Sequence, residues 1–66
     1  MQITVNGKQE TLPEPTTVEA VVLRFRPREG ACAVEVNERL IAHNTRAQVE
    51  VCDGDRIEIV TLVGGG

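Results

Sequence analysis

The end of the chain, Val63-Gly64-Gly65-Gly66, is the segment whose composition points most directly to chemistry. Glycine has no Cβ, so this backbone can enter a channel too narrow for side chains and can adopt φ values closed to other residues. Extended, Val63 to Gly66 reaches about 13 to 14 Å at ~3.3 to 3.6 Å per residue, enough to put the Gly66 carboxylate in another protein's active site. A carboxylate is a poor electrophile at neutral pH. A partner that converts it to a mixed anhydride such as an acyl adenylate makes it an acyl donor, and a sulfur nucleophile that displaces AMP leaves a thiocarboxylate on Gly66. The chain has no glycine-rich phosphate loop ending in Lys-Ser or Lys-Thr and no nucleotide-binding βαβ unit. On this reading it is the substrate and carrier, it needs no cofactor of its own, and the partner is the enzyme. Disordered termini and expression scars also end in glycine runs. The capacity to thread a narrow channel favours the functional reading.

The other reactive side chains offer less. Cys32 and Cys52 have neither the spacing of a CxxC redox or zinc motif nor an adjacent His, so both read as free thiols, with a persulfide carrier as the alternative. His43, the only histidine, has no Ser, Cys or acidic neighbour at a useful spacing, and a general base needs a partner to orient it. It reads as an exposed loop residue. Asp53 and Asp55 flank Gly54 in a turn segment, and the further oxygens and closing Glu of a calcium loop are absent, so no metal site is expected. Arg24, Arg26 and Arg28 crowd the end of a predicted helix, where cations complement the helix dipole, and read as a solvated cap.

Sixty-six residues make one domain near the lower size limit for folding without disulfides or metal, since so small a globule buries only roughly 60% of its unfolded surface. Its apolar residues are Val, Ile, Leu and Ala, with Phe25 the only aromatic one, which favours sheet. A net charge of −3 with interspersed signs argues against a nucleic-acid partner, because binders of phosphate backbones concentrate Lys and Arg on one face. No run approaches the ~20 apolar residues of a membrane helix, and the first residues lack the basic start and apolar run of a signal peptide. A cytoplasmic protein with no membrane partner is expected.

Met1, Ile3 and Val5 alternate with polar residues, which predicts a half-buried strand. Asn6-Gly7 accepts positive φ at both central turn positions and predicts a hairpin into a polar edge strand, Lys8 to Leu12. Thr16-Thr17-Val18-Glu19 fits a capping box, and Val18, Val21, Val22 and Phe25 then span an arc of about 100° on a helix. Pro27 and Gly30 stop it. Ala33 to Asn37 alternates as a third strand, Leu40-Ile41 is a short extended piece, and His43 to Arg46 is a loop or single turn. Val49 and Val51 suggest a brief fourth strand. Ile57 to Val63 is the longest β-prone run, with Ile57 and Ile59 facing the core and Glu58 and Val60 facing away.

This order predicts an α+β fold, a ubiquitin-like β-grasp roll in which a mixed sheet of four to five strands packs on one helix. Its first and last strands lie parallel at the centre, since the helix supplies the crossover that such pairing requires. Residues 1–63 form the domain and 64–66 a flexible tail. Val60, on the open face beside that tail, is a candidate docking position.

The segment Asp53-Gly54-Asp55-Arg56-Ile57-Glu58-Ile59-Val60, running on to Val63-Gly64-Gly65-Gly66, resembles the C-terminal pattern of bacterial thiamin-biosynthesis sulfur carriers. Met1-Gln2-Ile3-Thr4-Val5-Asn6-Gly7, Thr17-Val18 and Ala33-Val34-Glu35-Val36-Asn37 fit the same family, so the likeness covers essentially the whole chain. The resemblance implies three partners: an E1-like adenylating enzyme, a persulfide sulfur donor such as a cysteine desulfurase, and a thiazole synthase that takes the sulfur. It implies that Gly66 carries the sulfur, that Gly64 and Gly65 enter the partner's active site, and that Val60, Leu62 and Val63 dock. The third glycine departs from the many members in which another residue precedes the final pair. The small subunit of molybdopterin synthase resembles the same fold, but such chains are usually longer, with an aromatic-rich helix that is missing here. Carriers for tRNA thiolation or cysteine synthesis, and a ubiquitin-like modifier joined to lysine, compete with the thiamin assignment. A small enzyme in its own right finds no acid–base constellation to support it.

Overall fold

The computed structural model of the chain describes residues 1–62. It contains β1 (Gln2–Val5), β2 (Lys8–Thr11), α1 (Val18–Phe25), β3 (Cys32–Val36), β4 (Arg39–Leu40), a 3₁₀ helix (His43–Gln48) and β5 (Arg56–Thr61). The strands form one mixed sheet in the order β2-β1-β5-β3-β4, with β1 and β5 parallel and the other neighbours antiparallel. This is the expected ubiquitin-like roll, at the upper end of the expected strand count.

Residue type explains the elements. The β1–β2 hairpin turns on Asn6 and Gly7, whose φ angles are +50° and +82°, so the favoured two-residue turn forms where the dipeptide stands. Thr17 caps α1: its hydroxyl accepts a hydrogen bond from the Ala20 N–H at 3.2 Å. The cap differs from the expected reciprocal box. Ala, not Glu, occupies the position that would return a hydrogen bond, while the Thr16 hydroxyl turns away and donates to the Pro13 carbonyl. At the other end the Arg26 N–H reaches the Val22 carbonyl, and Pro27 prevents continuation.

The helix lies on one face of the sheet. Val18, Val21 and Val22 meet Ile3, Val5, Val34, Ile57 and Ile59 in a single buried cluster, with Phe25 half-buried at its margin. Leu12, just past β2, and Val51 close the core. Val49 and Val51 do not form the expected fourth strand of the sheet. Their backbone pairs instead with the approach to α1: the Val18 N–H donates to the Val49 carbonyl at 2.8 Å and the Val51 N–H to the Thr16 carbonyl at 2.9 Å. An alternating Val pair reports burial on one side and not which backbone lies alongside. The 3₁₀ helix runs two residues beyond the turn expected at His43 to Arg46.

The Val22 side chain is only 3% exposed against the sheet. In a domain whose core supplies no more than about 3–5 kcal/mol, an unpaired buried carboxylate exceeds the margin of stability. Val22→Asp is therefore expected to abolish the cooperative circular dichroism melt, and a melt within a few degrees of the parent would contradict this packing.

Candidate functional site

The expected working end is rooted in β5, which holds the centre of the sheet. Its antiparallel register with β3 runs from Val36 opposite Ile57 to Cys32 opposite Thr61. Its parallel register with β1 is shorter, Thr4 with Arg56 and Val5 with Ile57. Beyond that point the chain of β1 has turned away, and the Asn6 side chain replaces it. The Asn6 Oδ1 accepts the Ile59 N–H at 2.7 Å, and its Nδ2 donates to the Ile59 carbonyl at 3.3 Å. The last residues of β5 thus run past the hairpin with β3 as their strand neighbour, and the Leu62 N–H still reaches the Ala31 carbonyl at 2.9 Å.

Alternation places the side chains as expected. Ile57 and Ile59 are buried, Glu58 is exposed, and Val60 stands on the open face with 57% of its surface in solvent. Leu62 is 56% exposed and borders a groove between α1 and the start of β3. Of the residues expected to act, Val60 and Leu62 are therefore accessible at the root of the tail, while Val63, Gly64, Gly65 and Gly66 lie outside the described residues.

The acidic turn holds the opposite end of β5. The Gln2 N–H donates to Asp53 Oδ1 and the Cys52 N–H to Asp55 Oδ2, both at 2.7 Å. Asn37 joins in, its Nδ2 donating to Asp55 Oδ1 at 3.0 Å and its Oδ1 accepting the Arg56 N–H at 2.9 Å. These carboxylates satisfy backbone donors at the start of β1 and in the turn that leads into β5, which gives the Asp-Gly-Asp sequence a structural task. Cys32 is half-buried and Cys52 exposed, and both are free thiols. His43 is exposed at the start of the 3₁₀ helix. Among the described residues no three His, Cys, Asp or Glu side chains come together as a metal site, and no helix is long and apolar enough to cross a membrane.

Sequence reasoning passes over Arg46. It is 5% exposed, its Nη2 donates to the Cys32 carbonyl at 2.6 Å, and its Nη1 lies 3.7 Å from the Cys32 sulfur. It ties the 3₁₀ helix to the first residue of β3, next to the root of the tail. The surrounding His43-Asn44-Thr45-Arg46-Ala47-Gln48 has no apolar alternation to mark one cation as buried.

The family model described as the ThiS family matches residues 2–66. The chain belongs to the ThiS family. Among curated relatives, the sulfur carrier protein ThiS of Bacillus subtilis is 35% identical over 63 residues, covering 94% of this chain and 96% of that protein. A thiazole synthase of Paramagnetospirillum magneticum is 36% identical over 66 residues, and one of Magnetococcus marinus 34%. Each match takes in the whole chain, which spans only 20% of the length of either synthase. The crystal structure of the thiamine biosynthesis protein ThiS from Geobacter metallireducens superposes with a TM-score of 0.80 at 31% identity, covering all of both chains. The ubiquitin-like roll is thus the fold of a solved family member.

Val60 faces solvent and contributes nothing to the buried cluster, so Val60→Lys, placed on the same face as Glu58 and Glu35, is expected to change stability by less than about 1 kcal/mol. A urea melt checks this, and a large destabilisation would show that Val60 serves the fold rather than a partner.

Proposed function

We propose that this chain is a sulfur carrier of thiamine biosynthesis, with residues 1–63 as the domain that partners recognise and 64–66 as the tail they process. The observation that carries the reading is the way β5 ends. A central core strand runs beyond the hairpin and leads, past an exposed Val60 and Leu62, to the sequence Val63-Gly64-Gly65-Gly66. Family membership and the name of the Bacillus relative support the carrier role. The two synthases whose sequences include a stretch like this chain support a thiazole synthase as the recipient, because a carrier and its acceptor gain from being held together.

The chemistry on this reading is that of an activated carboxylate. A Gly66 carboxylate oxygen attacks the α-phosphorus of ATP on an E1-like adenylating enzyme, and pyrophosphate leaves. The terminal sulfur of a persulfide, supplied by a donor such as a cysteine desulfurase, then adds to the acyl carbon and AMP leaves. A thiol attacks the donor's sulfur of the acyl disulfide so formed, forming a disulfide with the donor and releasing the thiocarboxylate. The resulting thiocarboxylate is the nucleophile presented to the thiazole synthase. The chain itself is the co-substrate, and its work takes place in the cytoplasm. Gly64 and Gly65 let the end pass into the enzyme, while Val60, Leu62 and Val63 hold the domain at the mouth. Apolar residues beside a flexible tail suit that task, since burying them favours association without a fixed hydrogen-bond geometry.

Removal of Gly65 and Gly66 separates folding from transfer. The truncated chain is expected to melt like the parent by circular dichroism and to form no thiocarboxylate with ATP, adenylating enzyme and sulfur donor, whereas the parent gains the mass difference between sulfur and oxygen. Sulfur incorporation into the truncated chain, or its failure to fold, would contradict this function.

A further inference from the structure

Arg46 is a buried cation without a counter-ion among the described residues. Its Nη2 is spent on the Cys32 carbonyl, its Nη1 has only the long contact with the Cys32 sulfur, and its Nε has no hydrogen-bond partner. Neither ion pair among the described residues, Arg26 with Glu29 and Arg56 with Glu38, includes it. A charge withdrawn from water is costly unless an opposite charge or a full set of hydrogen bonds replaces the solvent.

The same side chain lines a groove of about 320 Å³ that opens beside Leu62. Val22, Leu23 and Leu62 give the groove apolar walls, and Arg26 and His43 stand with Arg46 around it. Glu19 is its one acidic lining residue and makes no ion pair with Arg46. Arg26 is only loosely engaged: its contact with the exposed Glu29 is 3.9 Å long, and a pair with one partner fully in solvent contributes little.

We infer that this groove is a docking site for an aspartate or glutamate side chain of the enzyme that activates the tail, with Arg46 as its buried counter-ion, and with Arg26 as the cation and His43 as a polar neighbour at its rim. The inference rests on the proposed function, because it is uptake of the tail that brings the enzyme's surface to Leu62. A planar guanidinium fork matches a carboxylate, and apolar walls suit a side chain with a hydrocarbon stem better than a hydrated phosphate. The groove therefore supplies charge complementarity at the point where the carrier's domain meets its tail. A partner that fills it sets a negative charge beside the guanidinium of Arg46, whereas a surface without the acid leaves that charge buried and unpaired. This makes the groove a selector among enzymes that accept a glycine tail.

The test reverses the rim and leaves the buried residue alone. In the full-length chain, Arg26→Glu combined with His43→Glu should keep the parental circular dichroism melt and weaken binding to the organism's own adenylating enzyme by about tenfold or more, measured by calorimetry. Arg26→Lys should bind like the parent. A smaller loss in the reversed variant overturns the assignment. Two spectroscopic arms address other occupants by following the Arg46 Nε–Hε resonance in the ¹⁵N-labelled free protein. If it moves on removal of Gly65 and Gly66, the chain's own carboxylate fills the groove, and if it saturates with inorganic phosphate, the site takes a small anion. Either result overturns the proposal, and an unmoved resonance in both supports it. If the reversed variant binds as the parent does and is still thiocarboxylated, the groove assignment alone fails. If the parent itself is never thiocarboxylated, the functional reading fails first.

Discussion

The position of β5 between β1 and β3 is the constraint on which the rest of this small protein depends. Parallel pairing with β1 cannot be closed by a tight turn, so the chain needs a crossover, and α1 with the segments after it supplies one. That helix covers one face of the sheet and leaves the other in water. Antiparallel pairing with β3 then sets the direction of exit, because Thr61 lies opposite Cys32 and Leu62 hydrogen-bonds to Ala31. The Asp53, Asp55 and Asn37 side chains hold the start of β5, and Asn6 stands in for the missing strand halfway along. Apart from the side-chain bond between Asn37 and Asp55, these contacts satisfy backbone groups that would otherwise lack partners where the ladder is incomplete.

A chain of 66 residues has little interior to spare for an active site, and among the described residues that interior is filled by ten buried aliphatic side chains. On the proposed function its chemistry lies outside the core, at the Gly66 carboxylate that a partner enzyme activates. What the domain adds is address. On the proposed function, the exposed Val60 and Leu62, the groove around Arg46 and the glycine run decide which enzymes can use the end, and the fold fixes Val60, Leu62 and Arg46 relative to one another. On this view selectivity resides in the carrier's surface and reactivity in its partners.

Much of this architecture can be read from residue patterns, for reasons the structure makes plain. Alternation in Met1 to Val5 and Ile57 to Val60 reports burial on one side, and those strands lie where the pattern puts them. The Asn6-Gly7 turn and the stop at Pro27 are local effects of backbone chemistry, so they too are legible. Val49 and Val51 mislead because their burial is satisfied by a backbone pairing with residues far away in sequence, which no local period encodes. The helix cap shifts its role because two adjacent threonines compete for it, and Thr16 finds the Pro13 carbonyl instead. Arg46 is hidden for the same kind of reason: its burial depends on where β3 begins, not on its neighbours. At the candidate site, strand alternation assigns Val60 to solvent, whereas Leu62 follows only from the family resemblance and the groove it borders is assembled from four separate segments.

The central claim, that the Gly66 carboxylate is itself activated and then exchanged for sulfur, leaves a trace in the fate of its oxygens. If the chain is prepared with ¹⁸O in both oxygens of that carboxylate and turned over with ATP, adenylating enzyme and sulfur donor, one labelled oxygen should leave with AMP for each sulfur gained and the other should remain on the acyl carbon. Thiocarboxylate appearing alongside unlabelled AMP would show that the carboxylate never attacked phosphorus, and the account would be wrong.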